Sequence, residues 1–357
     1  MAVLIRCGIR PRLALCALLA VGQVQAIPQQ NNQSPPSTAG ADSPRALDAR
    51  FEVLVDGVAQ DRLFGVDIVG QRGIAVGGMG RVMVTDDGGA SWTQESPPTD
   101  LALLAVAMAG ERVVAVGQSG LAFVRRWGEP WEQVETGTQE RLLNVVMHDN
   151  GMVVAVGGFG TVLRSADHGR SWQPAAPDWR AIAAANGGGD DRTGALAEPT
   201  MFAVHIRPNG EVLIAGELAY VLKAYPNREG WTLVHGGGST GGVIAPSLHD
   251  LSIASDGSGF AVGQEGAILK TVNGGNSWQK KDTPSSGANL LAVERQDAKW
   301  VFALGMRTAL CSQDGGETWQ PLQALDVGLN WYSDIEPVSS SGPLVAVGHS
   351  GRIIRIQ

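Results

Sequence analysis

The sequence predicts an all-β protein, a seven-bladed β-propeller of four-stranded repeats. One phrase recurs along the chain: an apolar strand, A-V-G-x-x-G, a second apolar strand, then S/T-x-D-x-G-x-x-W. The leading turn glycines are Gly77, Gly117, Gly157, Gly216, Gly263, Gly305 and Gly348, spaced by 40, 40, 59, 47, 42 and 43 residues, the period of a propeller blade. Composition agrees: 48 glycines, 44% hydrophobic and only 17% charged residues suit many short strands joined by tight turns.

The chain opens with Arg6, Arg10 and Arg12, an apolar run from Leu13 to Val21, and Val24-Gln25-Ala26 with small residues where a signal peptidase cuts. Residues 1–26 are therefore expected to be a cleaved export signal, and the mature protein to be exported and periplasmic. The apolar run is too short to span a bilayer, and Leu15 before Cys16 argues against lipidation. Residues 27–50, polar and proline-rich, read as a disordered linker. The propeller is expected over 51–357.

Loss of the leader leaves 24 of the 27 basic residues against all 35 acidic ones, a formal charge of −11. Nucleic acid is thereby disfavoured as a partner. Cleavage also removes Cys7 and Cys16 and leaves Cys311 without a disulfide partner. Cys311 lies in a third strand among apolar residues and reads as core.

The repeat is fullest at VVAVGGFGTVLRSADHGRSW (153–172) and clear at 74–92, 260–278 and, one residue shorter, 302–319. Weaker copies cover 113–131, which loses the acid, and 212–231, which keeps chiefly one glycine and the tryptophan; the last copy, 344–357, ends before its outer strand. Phe51–Val55, a lone strand ahead of the first repeat, is expected to complete that last blade and so close the ring without an open edge.

In each Asp box the acid and glycine sit on the turn into the outer strand, where the side chain can accept backbone N–H bonds and glycine can take positive φ. Asp87, Asp167, Asn273 and Asp314 read as turn locks, and Trp92, Trp172, Trp278 and Trp319 as rings buried against a neighbouring blade. Asn273 supports the structural reading, since an amide caps a turn but is no acid or base. One acid per turn is far from a calcium shell, the six histidines show no metal-ligand spacing, and no metal or cofactor is expected.

Candidate binding residues lie on the face made by the GxxG turns and the interblade connections. Arg81 and Arg352 follow the GxxG turn in blades one and seven, and Arg307 sits in the equivalent turn of blade six. On adjacent blades, the three guanidiniums form an arc suited to carboxylates or phosphates. Three connections are enlarged: 176–199, carrying Trp179, Arg180, Asp190, Asp191 and Arg192; the glycine-rich 235–247; and 325–331. Long loops on a rigid scaffold are where binding residues gather.

Asp-box propellers include sialidases, xyloglucanases and sortilin-type receptors, but AVGxxGxIxxTxDGGxSW, seven copies, single-domain length and an export signal most closely resemble the photosystem II stability/assembly factor family and its bacterial relatives. The resemblance spans residues 51–357. It implies a monomeric, non-catalytic factor that binds a protein partner in a membrane or envelope complex through an arginine patch. The alternative is an Asp-box glycoside hydrolase or carbohydrate-binding propeller, in which Asp190, Asp191, Glu198 and Glu217 would supply the paired carboxylates. A sialidase is disfavoured, with only Tyr220, Tyr225 and Tyr332 as candidate nucleophiles. Gly348-His349-Ser350-Gly351 lacks the spacing of a nucleophile elbow.

Overall fold

The computed structural model describes residues 51–185, 198–236, 245–322, 327–340 and 342–357. They form seven four-stranded antiparallel sheets, each a meander running outward from the axis. Blade three shows the pattern: Leu142–Met147 innermost, then Val153–Gly157, Val162–Ser165 and the outer strand Gln173–Pro174. The second strands, such as VVAVG, are buried on both faces because blades pack against them from either side. Pro174 and Pro321 are tolerated in two of the outer strands because these are sheet edges and the ladder bonds there come from the neighbouring Ala175 and Leu322 N–H groups.

Ring closure follows the sequence expectation. Phe51–Val55 pairs antiparallel with Ile353–Ile356, Phe51 opposite Ile356, and completes the sheet whose inner strand is Tyr332–Pro337. Blade seven is thus stitched from both ends of the fold. Its inner strand lies beside those of blades six (Asn289–Arg295) and one (Leu63–Val69), so blades six, seven and one are contiguous.

Hydrophobic clusters fill each seam between blades. Trp172 packs with Val114 and Val124 of blade two, Trp278 joins the seam of blades four and five, and Trp319 meets the Phe260 ring edge-on at 5.8 Å. Each Asp-box tryptophan therefore glues its blade to the preceding one. Replacing Trp172 by alanine is expected to cost about 3–5 kcal/mol in chemical denaturation. Cys311 is wholly buried, and burial pushes its thiol up to about 11.

In all seven blades the inner strand carries a bulge near its start, at Phe64, Leu104, Leu143, Phe202, His249, Leu291 and Ser333. The extra residue turns each of these side chains to the axial channel, which they line. Among the described residues no helix is long and apolar enough to cross a membrane.

Candidate functional site

The Asp-box side chains are engaged by their own turns. Asp167 Oδ1 accepts the Ser171 N–H at 2.9 Å and the Ser165 hydroxyl at 2.7 Å, while Oδ2 accepts the Ser171 hydroxyl at 2.7 Å. Burial opposes its ionisation, but the Ser171 and Ser165 bonds prevail and hold the carboxyl at about 2. Asp314 repeats the pattern with Thr318 and Ser312, and Asp87 with Ser91 and Thr85. Asn273 reproduces it with an amide, its Oδ1 accepting Ser277 N–H at 3.0 Å. Asp167→Ala should therefore lower stability by about 1–3 kcal/mol, and Asp167→Asn much less, as thermal melts would show.

Two blades without the box use buried cations instead. In blade two Arg125 pairs with Glu95 at 2.7 Å and lies over the rings of Trp131 (4.3 Å) and Trp127 (5.7 Å). In blade four Lys223, wholly buried, reaches Glu211 at 2.9 Å and the Asp-box turn of blade five through Gly274 O (3.1 Å) and Asn276 Oδ1 (3.0 Å).

The GxxG turns and interblade connections share one face. In blade three, Gly158 N–H donates to Arg141 O of the connection entering the blade, and Gly160 N–H to Pro199 O of the connection leaving it. The predicted arc lies on this face, but its members differ. Arg81 Nη1 is paired with Asp61 at 2.7 Å and its Nη2 donates to Gln94. Arg352 Nε is paired with Asp56 at 2.8 Å, a bond across 296 positions. Arg307 is exposed and its side chain bonds Gly328 O at 3.2 Å. Its turn is one residue shorter than the others, so Arg307 occupies the left-handed tip (φ 57°), the position of Met79, Ser119, Phe159, Leu218, Glu265 and Ser350 elsewhere, rather than that of Arg81 and Arg352.

Trp179 opens a short helix, Trp179–Ala185, and is buried, with its Nε1 donating to Gly160 O at 3.0 Å. It holds the wall of the face and is not presented to a partner, whereas Arg180 is exposed. Arg192, Asp190 and Asp191 lie outside the described residues. Of the remaining hydrolase candidates, Glu217 is committed to the Thr200 N–H at 2.8 Å and Glu198 is exposed. His349 Nδ1 meets both the Ser350 hydroxyl (2.9 Å) and Asn330 Oδ1 (3.2 Å); a nucleophile relay needs its two partners on opposite ring nitrogens.

Sequence reasoning missed the axial channel, a cavity of about 700 Å³. Its mouth on the GxxG side is the collar of bulge residues, apolar except for His249 and Ser333, in which Phe64 stacks on Trp331 at 5.9 Å and Phe202 meets His249 edge-on at 5.2 Å. Deeper lie Asp67, Asp250, Glu294, Asp334 and Glu336. Burial raises Asp67 and Asp250 to about 6 and Glu294 to about 7; burial and the neighbouring carboxylates raise Asp334 to about 8 and Glu336 well above its usual range. Three of them stitch blades together: Asp67 accepts Met108 N–H, Asp250 accepts Val293 N–H and Asp334 accepts Val66 N–H. Among the described residues no three His, Cys, Asp or Glu side chains converge as metal ligands.

The two faces also differ in apolar exposure. Val58, Met79, Leu101, Phe159, Met306 and Leu329 stand out on the GxxG side, against Val69 and Val272 on the Asp-box side and Val53 at the rim. Such clustering marks interaction surfaces.

No family model matches the chain. Over 289 residues it is 24% identical to the photosystem II stability/assembly factor HCF136 of Arabidopsis thaliana chloroplasts, covering 66% of this chain and 70% of that protein. It is 22% identical over 257 residues to the photosystem II assembly lipoprotein Ycf48 of Synechococcus sp. (strain CC9902), covering 69% of each. A solved structure, YCF48 bound to a D1 peptide, superposes with a TM-score of 0.66 at 20% identity, covering 87% of this chain and 98% of that one. The resemblance seen in the repeats is thus found again across most of the propeller: this chain has the YCF48 fold and is similar in sequence to photosystem II assembly factors.

Proposed function

We propose that this protein is an exported, non-catalytic assembly or stability factor that holds a segment of a membrane or envelope protein complex against its GxxG face. The observation that carries the reading is the asymmetry of the two faces: one combines apolar tips, an aromatic-lined channel mouth and the Arg81–Arg307–Arg352 arc, while the repeated acids of the other are engaged in their own turns. The proteins it is similar to are named as assembly factors, and a protein of this fold is bound to a peptide. On this reading the leader, cleaved after residue 26, delivers the chain to the periplasm, where the propeller acts as a monomer.

Arg307 leads the arc, because Arg81 and Arg352 already satisfy Asp61 and Asp56 and contribute their remaining N–H groups. An apolar peptide ending in a free carboxylate should bind in fluorescence anisotropy, more weakly as salt rises. Arg307→Glu alone should weaken it by about tenfold, and the triple reversal of Arg81, Arg307 and Arg352 should abolish the salt dependence. Undiminished binding by a normally folded triple variant would move the partner surface off the arc.

A further inference from the structure

On the far side of the same face from the arginine arc, blade three carries a second groove with the opposite electrostatic character. It has a volume of about 800 Å³ and runs from the Phe159–Gly160 turn to the outer strand, over Trp172, Pro174 and Pro177. Among the described residues its rim carries the carboxylates Glu135, Asp178 and Glu198 and one cation, Arg180, all exposed. From the structure we infer that this groove docks a basic, apolar protein segment, one that places an aliphatic or aromatic side chain on Phe159 and lysine or arginine toward the three carboxylates.

All seven turn tips are left-handed and carry a residue other than glycine, and of these Phe159 alone places an aromatic ring there. Phe159 sits at φ 49° and is 72% exposed. An aromatic side chain in the left-handed region is strained, and Gly, Asn or Asp would form this turn more easily. Nor does Phe159 return that cost through burial. An aromatic ring left in water at the edge of a groove is explained when something else covers it. The floor beneath it is firm: Trp179 is buried and hydrogen-bonded to Gly160 O, and Gly160 is required because a Cβ there would collide with the Trp179 indole nitrogen.

Charge selects the occupant. Three carboxylates against one guanidinium leave the described rim net negative, and Asp178 Oδ1 accepts the Ala181 N–H at 3.0 Å. An acidic segment suited to the arc on blades six, seven and one would be repelled here, so the two sites sort partner segments by charge and fix the direction in which a partner lies across the face. This inference does not depend on the arc reading, because none of its residues belongs to the arc.

The experiment uses the full propeller and a labelled acetyl-Leu-Lys-Leu-Arg-Leu-amide peptide, with acetyl-Leu-Glu-Leu-Asp-Leu-amide as its charge-reversed partner. The basic peptide should bind in anisotropy and the acidic one at least about tenfold more weakly. Phe159→Asn should leave the melting temperature unchanged or raised, since asparagine suits the turn, yet weaken basic-peptide binding by about tenfold or more. Glu135→Gln with Glu198→Gln should weaken it and flatten its salt dependence, whereas reversing the three arc arginines should leave it intact. Equal affinity for both peptides, full affinity in Phe159→Asn, loss on arc reversal, or no binding at millimolar peptide would each overturn the proposal.

Discussion

Raising the pH from about 5 to about 9 should cost the propeller several kcal/mol of stability. Five carboxyls in the axial channel, those of Asp67, Asp250, Glu294, Asp334 and Glu336, have their acid forms favoured in the folded state, all by burial and the last three also by neighbouring carboxylates. A carboxyl whose folded value is raised binds its proton more tightly folded than unfolded. Its stabilising share is complete below the unfolded value near 4 and is lost as pH climbs through the folded values of about 6, 7 and 8. Every tenfold gain in proton affinity on folding corresponds to about 1.4 kcal/mol, and the carboxyls' mutual repulsion keeps the total below the sum. Urea denaturation across this range should show the midpoint falling with pH, and Glu336→Gln with Asp334→Asn should flatten the curve. A midpoint that rises with pH would mean the channel acids are paired with cations in solution.

Lys223→Ala should cost about 3–5 kcal/mol, the loss typical of breaking a buried ion pair from one side. Lys223 is the tie between blade four, which lacks an Asp box, and the Asp-box turn of blade five. Removing it strands the Gly274 carbonyl and opens a hole in the seam, while Glu211 keeps Arg207 at 2.6 Å. Lys223→Met restores the volume but not the hydrogen bonds and should cost about 1–3 kcal/mol. Chemical denaturation separates the two; equal losses would assign the whole effect to the missing cation.

Much of the fold was legible because its signals are local. An Asp box at Asp167 acts on atoms within four residues, and a turn glycine at Gly157 bonds Thr161 O and makes room for Arg141 O just ahead of the same blade, so each blade writes its own turn chemistry into the chain. The count of seven blades and closure by Phe51–Val55 follow from counting those local signals. The candidate site was less legible. Repeat register places Arg81, Arg307 and Arg352 on the GxxG face, yet register cannot show that Asp61 and Asp56 occupy two of them, or that the shorter blade-six turn lifts Arg307 to the tip. Trp179 looked like a loop aromatic and is a buried wall, because its indole finds Gly160 O.

The sequence by itself determined the repeat, the blade number and the chemistry of the Asp-box turns, which depend on hydrogen bonds and packing between near neighbours in the chain, and the closing strand, which follows from counting those repeats although Phe51 pairs with Ile356 at the other end of the fold. Only the tertiary structure decided that inner-strand acids from blades one, five, six and seven crowd one channel, that Lys223 and Arg125 replace the missing boxes, and that Phe159 stands exposed over an acidic groove. These depend on bringing residues from different blades together around a closed ring, and no spacing along the chain encodes which of them will meet.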